Sequence, residues 1–318
     1  EIVQDFLRVD PELLKPYAPP TAAERTSQAF AGSNSATPSE RKEAALNESR
    51  RDYTRPLLLF GQPKDPTCIE LFRLFEEPVE AEDAAKKHSG PTPKSLRWEF
   101  ELASFDSEQP EVRKLAEALG VEVGKGHAPV LAVLDADGKL AATYPLALGP
   151  TKTLDGDALA SFLAKHKLPT RDAEKMLADA LKKAKAEDNP VFFIASASWC
   201  GPCRRLGRFL EPWKSELNHH FVFVKLDISR DDHADAVRKR IQGDQDGGSV
   251  PWYAILDGAG KTLITSNAPD LKRLEKAANI GFPSEPAAID HFMKMLSETA
   301  PRLSARKLAE IRQALVGK

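Results

Sequence analysis

Apolar and polar positions along the chain run through the same order of elements twice. Leu57, Leu58, Leu59 and Phe60 form a continuous apolar run just after Pro56, and Val191, Phe192, Phe193 and Ile194 form another just after Pro190. Short runs of this kind predict strands buried on both faces. A helical stretch precedes each. The first opens at Pro38-Ser39-Glu40 and extends to about Ser49; the second opens at Pro169-Thr170, with apolar positions at Met176, Leu177, Ala180, Leu181 and Ala184. That spacing marks one buried helix face. After each strand a short loop leads into an amphipathic helix, in which Cys68 and Cys203, Leu71 and Leu206, Leu74 and Phe209, and Phe75 and Leu210 fall in register.

The parallel continues to the end of each half. Alternating strands are predicted over Leu96–Leu102 and Phe221–Leu226, each followed by a helix. Pro129 and Pro251 then open strand pairs joined by a Gly-containing turn, with Asp135 matching Asp257, Gly138 matching Gly260 and Lys139 matching Lys261. Helices over Asp157–His166 and Pro286–Leu296 close the halves, Leu159 matching Ile289 and Phe162 matching Phe292. The sum is β-α-β-α-β-β-α, twice, which implies an α/β protein with a mixed sheet covered by helices on both faces in each half. The expected organisation is an arm over 1–36, a first domain over 37–167, a second over 168–300 and a terminal helix in 301–318. The arm is read as extended, with at most a short helix, from Pro11, Pro16, Pro19, Pro20 and the Gly32–Ser35 stretch, its apolar residues being Ile2, Val3, Phe6 and Leu7.

Composition adds little beyond exclusions. The chain has 318 residues, 42% hydrophobic and 29% charged, with three cysteines and a formal charge of −2. This length fits two domains of roughly 100–200 residues each, stabilised by packing and not by a disulfide framework. The near-neutral charge gives no reason to expect nucleic acid as a partner, and Arg238-Lys239-Arg240 reads as a solvated helix face. No apolar run reaches the roughly 20 residues of a membrane-spanning helix. The first residue is Glu1 and not an initiator Met; together with so few cysteines, this gives the expectation of an exported or periplasmic protein, a cytoplasmic one being the alternative.

The chemistry gathers at Trp199-Cys200-Gly201-Pro202-Cys203, just after a predicted strand and opening a helix. Helix amino termini hold unpaired N–H groups and about half a positive charge, so a thiolate at Cys200 is stabilised and its pKa falls from about 8.5 towards neutrality. Cys203, one turn on, lies within bonding reach. Gly201 permits a tight approach, and Pro202 in the first turn forfeits no needed hydrogen bond. A C-x-x-C pair is also half of a zinc site, but Cys68 is the only other cysteine and no second pair or H-x-x-x-H follows, so no metal is expected. The paired His219-His220 reads as surface, and Arg204 and Arg205 as a solvated face.

Trp199-Cys200-Gly201-Pro202-Cys203 resembles the motif of the thioredoxin family, clearly over about 168–300 and in outline over 37–167. The resemblance implies a cis-proline facing the cysteines, here Pro251 after Val250. Its backbone would pair with an extended substrate, while Trp199, Gly201, Pro202 and Trp252 add contacts. Trp252 departs from the small or hydroxyl residue usual there, and core is its alternative role. A second departure is Ile194, where the family carries a buried aspartate. The lysine that pairs with that aspartate corresponds to Lys225, a candidate for proton transfer or electrostatic support, or simply a residue reaching solvent.

The first half has Asp65-Pro66-Thr67-Cys68 at the motif and so lacks the attacking thiol; it resembles redox-inactive thioredoxin-like domains. Its Pro129, after Ala128, matches the cis-proline, so a peptide-binding surface is expected to survive. The implied activity is thiol-disulfide exchange that reduces or isomerises disulfides in protein substrates, with Cys200 and Cys203 catalytic. A separate redox partner would restore the pair, and no cofactor is needed beyond it. The rival reading is a redox-sensitive, chaperone-like binding module that uses both folds as an interaction surface.

Overall fold

The computed structural model describes residues 19–32, 36–76, 91–124, 126–243, 249–273 and 276–317. The apolar residues expected in the arm, Ile2 to Leu7, lie outside them. Two compact units divide the chain: residues through Ser49 together with Arg55–Lys167, and Arg50–Thr54 together with Leu168–Lys318. No helix of the described residues is long and apolar enough to cross a membrane.

The first unit contains helices α1 (Ala22–Ala31), most of α2 (Pro38–Asp52), α3 (Pro66–Glu76), α4 (Pro110–Ala118) and α5 (Gly156–His166). Its strands are β1 (Arg55–Gly61), β2 (Phe100–Asp106), β3 (Val130–Leu134) and β4 (Leu140–Pro145), in sheet order β2-β1-β3-β4. The β1–β2 pair is parallel and the other two are antiparallel. Side chains on β1 alternate between two cores, Leu57 and Leu59 entering one, Leu58 and Phe60 the other. This is why the run is apolar throughout. Helix α1, inside the segment read as an arm, starts with a reciprocal capping box between Thr21 and Glu24 and buries Phe30 in the first of these cores.

Residues 96–99, expected in a strand, are instead helical. A helix spans Pro93–Leu96 and a 3-10 turn Arg97–Glu99, and β2 begins only at Phe100. The local chemistry explains the shift: Thr92 accepts the Ser95 N–H, Ser95 returns a bond to Thr92, and Pro93 sits at the first helical position.

The second unit repeats the sheet. Its strands β5 (Val191–Ser196), β6 (Val222–Asp227), β7 (Trp252–Leu256) and β8 (Thr262–Thr265) lie in the order β6-β5-β7-β8, again with one parallel and two antiparallel pairs. Helices α6 (Ala173–Glu187), α7 (Gly201–Leu210), α8 (Ala234–Gln242), α9 (Pro286–Thr299) and α10 (Ala305–Val316) complete the unit. Alternation on β5 sends Phe192 and Ile194 to one core, and Val191, Phe193 and Ala195 to the other. The leftover helix α10 packs on α9, with Ile311 and Leu315 in the first of these cores.

The matched turn residues have the same task in both units. Asp135 Oδ1 accepts from the N–H groups of Asp137 and Lys139, and Asp257 Oδ1 from those of Ala259 and Lys261. Gly138 and Gly260 hold φ of 79° and 85°, a region that favours glycine. One feature has no counterpart among the described residues of the first unit: an extra hairpin of β9 (Asn267–Arg273) and β10 (Lys276–Asn279) between β8 and α9. Its sequence, with Pro269, Asp270, Lys272, Arg273, Glu275 and Lys276, carries little of the β-branched alternation that marks a strand.

Phe292 of α9 is fully buried, meeting Phe209 and Tyr253 edge-on. Phe292→Ala should therefore destabilise the second unit by about 3–5 kcal/mol, read as a lower urea midpoint for the transition of that unit.

Candidate functional site

Strand β5 ends at Ser196, and the chain crosses Ala197, Ser198 and Trp199 to place Cys200 as the N-cap of α7. Cys200 has extended backbone, φ −83° and ψ 109°, and its Sγ accepts the N–H of Cys203 at 3.2 Å. The position that a serine or aspartate hydroxyl or carboxylate fills at other helix starts is filled here by sulfur. Cys200 and Cys203 are joined as a disulfide, with Cα atoms 5.2 Å apart. Both are buried, Cys200 at 4% exposure, in a small cluster with Ala197, Ile228 and Val250.

Across from the pair, Val250–Pro251 is a cis peptide bond, and the Val250 carbonyl oxygen lies 3.4 Å from Cys200 Sγ. A reduced Cys200 thiol is placed to donate to it. Trp199 is 48% exposed, and its Nε1–H donates to Ser229 Oγ at 2.9 Å. Gly201 and Pro202 are exposed beside it. The structure thus brings Trp199, Cys200, Gly201, Pro202, Cys203, Val250 and Pro251 together.

Trp252 does not join them. Its ring is fully buried against Phe193, with Nε1–H donating to Asn267 Oδ1 at 3.1 Å. The expectation that it offers apolar surface to a substrate is corrected to its alternative, core. Strand alternation is the cause: the side chain after Pro251 points into the layer filled by α6 and α8.

Lys225 is neither at the disulfide nor simply in solvent. Its Nζ pairs with Asp52 Oδ1 at 2.5 Å. Asp52 belongs to the five-residue segment Arg50–Thr54 that packs as part of this unit. Arg230 donates to the carbonyl oxygens of Asp52 and Tyr53, Arg171 stacks on the Tyr53 ring, and Arg51 lies against Gly207 of α7. Lys225, Asp52, Ser196, Ser198 and Asp227 are among the lining of a polar cavity of about 90 Å³. No sequence signal ties Asp52 to Lys225: 173 positions separate them.

Asp227 was not anticipated as part of the site. Its carboxylate accepts the N–H of Ser198 at 2.8 Å and of Ser229 at 2.9 Å, tying the loop before Cys200 to the loop after β6. Burial pushes its pKa above the ordinary carboxylate range, against the pull of these N–H groups and the Arg230 guanidinium. Asp231 supports it from below, accepting the Asp227 N–H at 2.7 Å and a bidentate bond from Arg171. The signal available in the sequence was the acidic set Asp227, Asp231 and Asp232 directly after a strand.

Two other expectations change. His220 is buried at 8% exposure with Nε2 3.4 Å from Glu216, while His219 is exposed as expected. Arg238 is buried and paired with Asp235, so only Lys239 and Arg240 of that triplet form the exposed face. Arg205 is exposed, as expected of a solvated face, with its guanidinium over the Phe282 ring at 4.3 Å. No cluster suited to a metal ion occurs among the described residues.

In the first unit the same cap is made by a carboxylate: Asp65 Oδ1 accepts the Thr67 N–H at 2.7 Å. Cys68 is fully buried, and a Cβ at Gly61 would approach its Sγ to 2.5 Å, so sulfur packs directly on the strand backbone. Burial pushes this thiol from 9.0 up to about 12. The Ala128–Pro129 bond is trans, unlike Val250–Pro251. The cis geometry that the match of Pro129 to Pro251 implied is therefore not formed there.

Residues 177–276 match the family model of a thioredoxin-like domain. The second unit is a thioredoxin-like domain. Among solved structures, the chain is similar to a disulphide isomerase from Xylella fastidiosa Temecula1, at 19% identity over 45% of this chain and 89% of that one, with a TM-score of 0.29. It is also similar to an alkylhydroperoxide reductase from Enterococcus faecalis, at 14% identity over 71% of this chain and 92% of that one, with a TM-score of 0.22. A redox protein from Chlamydomonas reinhardtii matches at 17% identity over 71% of this chain and 58% of that one, with a TM-score of 0.26. The Cys200–Cys203 disulfide at the amino end of α7 lies within the matched residues.

Two outcomes follow for the thiols and the cavity. In reduced, folded protein at pH 8, a thiol reagent should label Cys68 only after unfolding, since about one part in ten thousand is thiolate at a pKa of about 12. Because the fold favours the neutral form, this contribution to stability is complete below pH 9 and fades as pH rises through about 12. Asp52→Ala should lower stability by about 2 kcal/mol, less than the roughly 3–5 of a fully buried pair because Lys225 keeps 27% exposure. Calorimetry should assign the loss to the second unit.

Proposed function

We propose that this protein is a thiol-disulfide oxidoreductase that reduces or isomerises disulfides in protein substrates, using Cys200 as nucleophile and Cys203 as resolving thiol. The observation that carries the reading is the Cys200 sulfur acting as the helix cap. The Cys203 N–H and the aligned peptide dipoles of α7 stabilise negative charge on it more than on a neutral thiol, which favours the thiolate.

The reaction runs in two exchanges. Cys200 thiolate attacks one sulfur of a substrate disulfide; the S–S bond breaks, its other sulfur leaves as a thiolate and takes a proton, and a mixed disulfide remains. Cys203 then loses its proton and attacks Cys200 Sγ, forming the internal disulfide and releasing the second substrate thiol. Two electrons and two protons pass to the substrate, and a separate dithiol must return them. Isomerisation differs in that a substrate thiol, not Cys203, resolves the mixed disulfide. Val250 and Pro251 offer backbone groups to an extended segment of substrate, with Trp199 as the exposed apolar contact.

A second reading, a redox-sensitive binding module, draws support from the 4% exposure of Cys200 in the oxidised state and from Asp65 in the other unit. Replacement of the resolving thiol separates them. Cys203→Ser should accumulate mixed disulfides with protein partners, detected by non-reducing electrophoresis and released by dithiothreitol; Cys200→Ser should trap none. Trapping by neither variant, with partners retained when both cysteines are replaced, would favour the binding module.

A further inference from the structure

The segment facing the disulfide is held by the extra hairpin. Asn279, the last residue of β10, directs its side-chain Nδ2 at three oxygens: the Ser249 carbonyl and Ser249 Oγ, each at 3.2 Å, and the Pro251 carbonyl at 3.0 Å. Its Oδ1 is occupied as well, accepting the Gly281 N–H at 3.2 Å. The amide therefore has both N–H groups committed to one short stretch of backbone and its oxygen anchored on the other side.

Asn279 pairs in register with Asn267, the first residue of β9. That partner accepts the indole N–H of Trp252. Two asparagines facing each other across the base of one hairpin thus grip Ser249, Pro251 and Trp252. Val250, between them, keeps its carbonyl 3.4 Å from Cys200 Sγ.

We propose that Asn279 is a positioning residue that holds Ser249–Pro251 at the distance from Cys200 which an extended polypeptide requires. Capture of polypeptide disulfides depends on it, while the chemistry at Cys200 does not. The inference rests on the oxidoreductase reading and deepens it, since it assigns to the β9–β10 hairpin the selection of polypeptide over small-molecule disulfides. The physical ground is that a substrate backbone pairing beside a sulfur only 3.4 Å from the Val250 oxygen needs that strand segment fixed, whereas a small disulfide needs only access to Cys200.

The test compares two substrates on the full chain: a disulfide-linked peptide of about fifteen residues, long enough to pair as a strand, and the small aromatic disulfide 5,5′-dithiobis(2-nitrobenzoate). Asn279→Ala should raise KM for the peptide roughly tenfold, about the worth of one or two lost hydrogen bonds, with kcat unchanged. Its rate with the small disulfide and the pH midpoint of Cys200 reactivity should stay within twofold of the parent, which also reports that the variant is folded. Asn279→Asp keeps shape and the acceptor for Gly281 but has no N–H to donate, and should behave like the alanine variant. Equal losses on both substrates, an unchanged peptide KM, or full activity in Asn279→Asp would each overturn the inference while leaving the oxidoreductase reading in place. If the unsubstituted chain exchanges with neither disulfide, that reading itself fails and the inference falls with it.

Discussion

The hydrogen bond from the Cys203 amide to the Cys200 sulfur is the contact on which the site turns. It exists because β5 ends where α7 begins, so the first orphan amides of that helix have no carbonyl partner and are directed at whatever side chain occupies the cap. Everything around it fixes that arrangement: Asp227 ties down the Ser198 backbone, Ser229 takes the Trp199 indole, and the Val250 carbonyl closes the opposite side. The sulfur is thereby presented to a helix dipole inside a nearly closed apolar cluster, where the surrounding low dielectric strengthens the field of that dipole.

The two units show what happens when the same backbone solution carries different side chains. Each sets a polar acceptor at the start of the helix after its first strand, Asp65 in one and Cys200 in the other. A carboxylate caps a helix as a matter of course, so the first unit keeps this local structure without a sulfur at the position. What that unit keeps of the pair, Cys68, is enclosed and held neutral by its surroundings. Chemistry and fold separate cleanly at one position.

Much of the architecture was legible in the chain because it is written in local, periodic signals. The apolar runs at Leu57–Phe60 and Val191–Ile194, the matched Asp135 and Asp257 turns, and the Cys200–Cys203 spacing each report on structure within a few residues of themselves. What was not legible falls into two kinds. At Thr92–Ser95 a reciprocal cap outweighs apolar content, so residues read as strand begin as helix. Elsewhere the deciding contact joins distant parts of the sequence, as for Asp52 with Lys225 and Asn279 with the Pro251 segment, and no periodicity encodes such a pairing. Trp252 lies between these cases: strand alternation gave its direction, but the fold had to show which layer that direction enters.

The Arg50–Thr54 segment gives the second unit a body that is discontinuous along the polypeptide. Five of its residues are made more than a hundred positions before the rest, and their buried carboxylate and arginine-held carbonyls wait for partners until β6 and its following loop have been synthesised. A fragment cut at the obvious seam before Leu168 would thus carry every catalytic candidate yet be missing a wall of its own interior. Excision at the seam and independence as a folding body are, for this chain, different things.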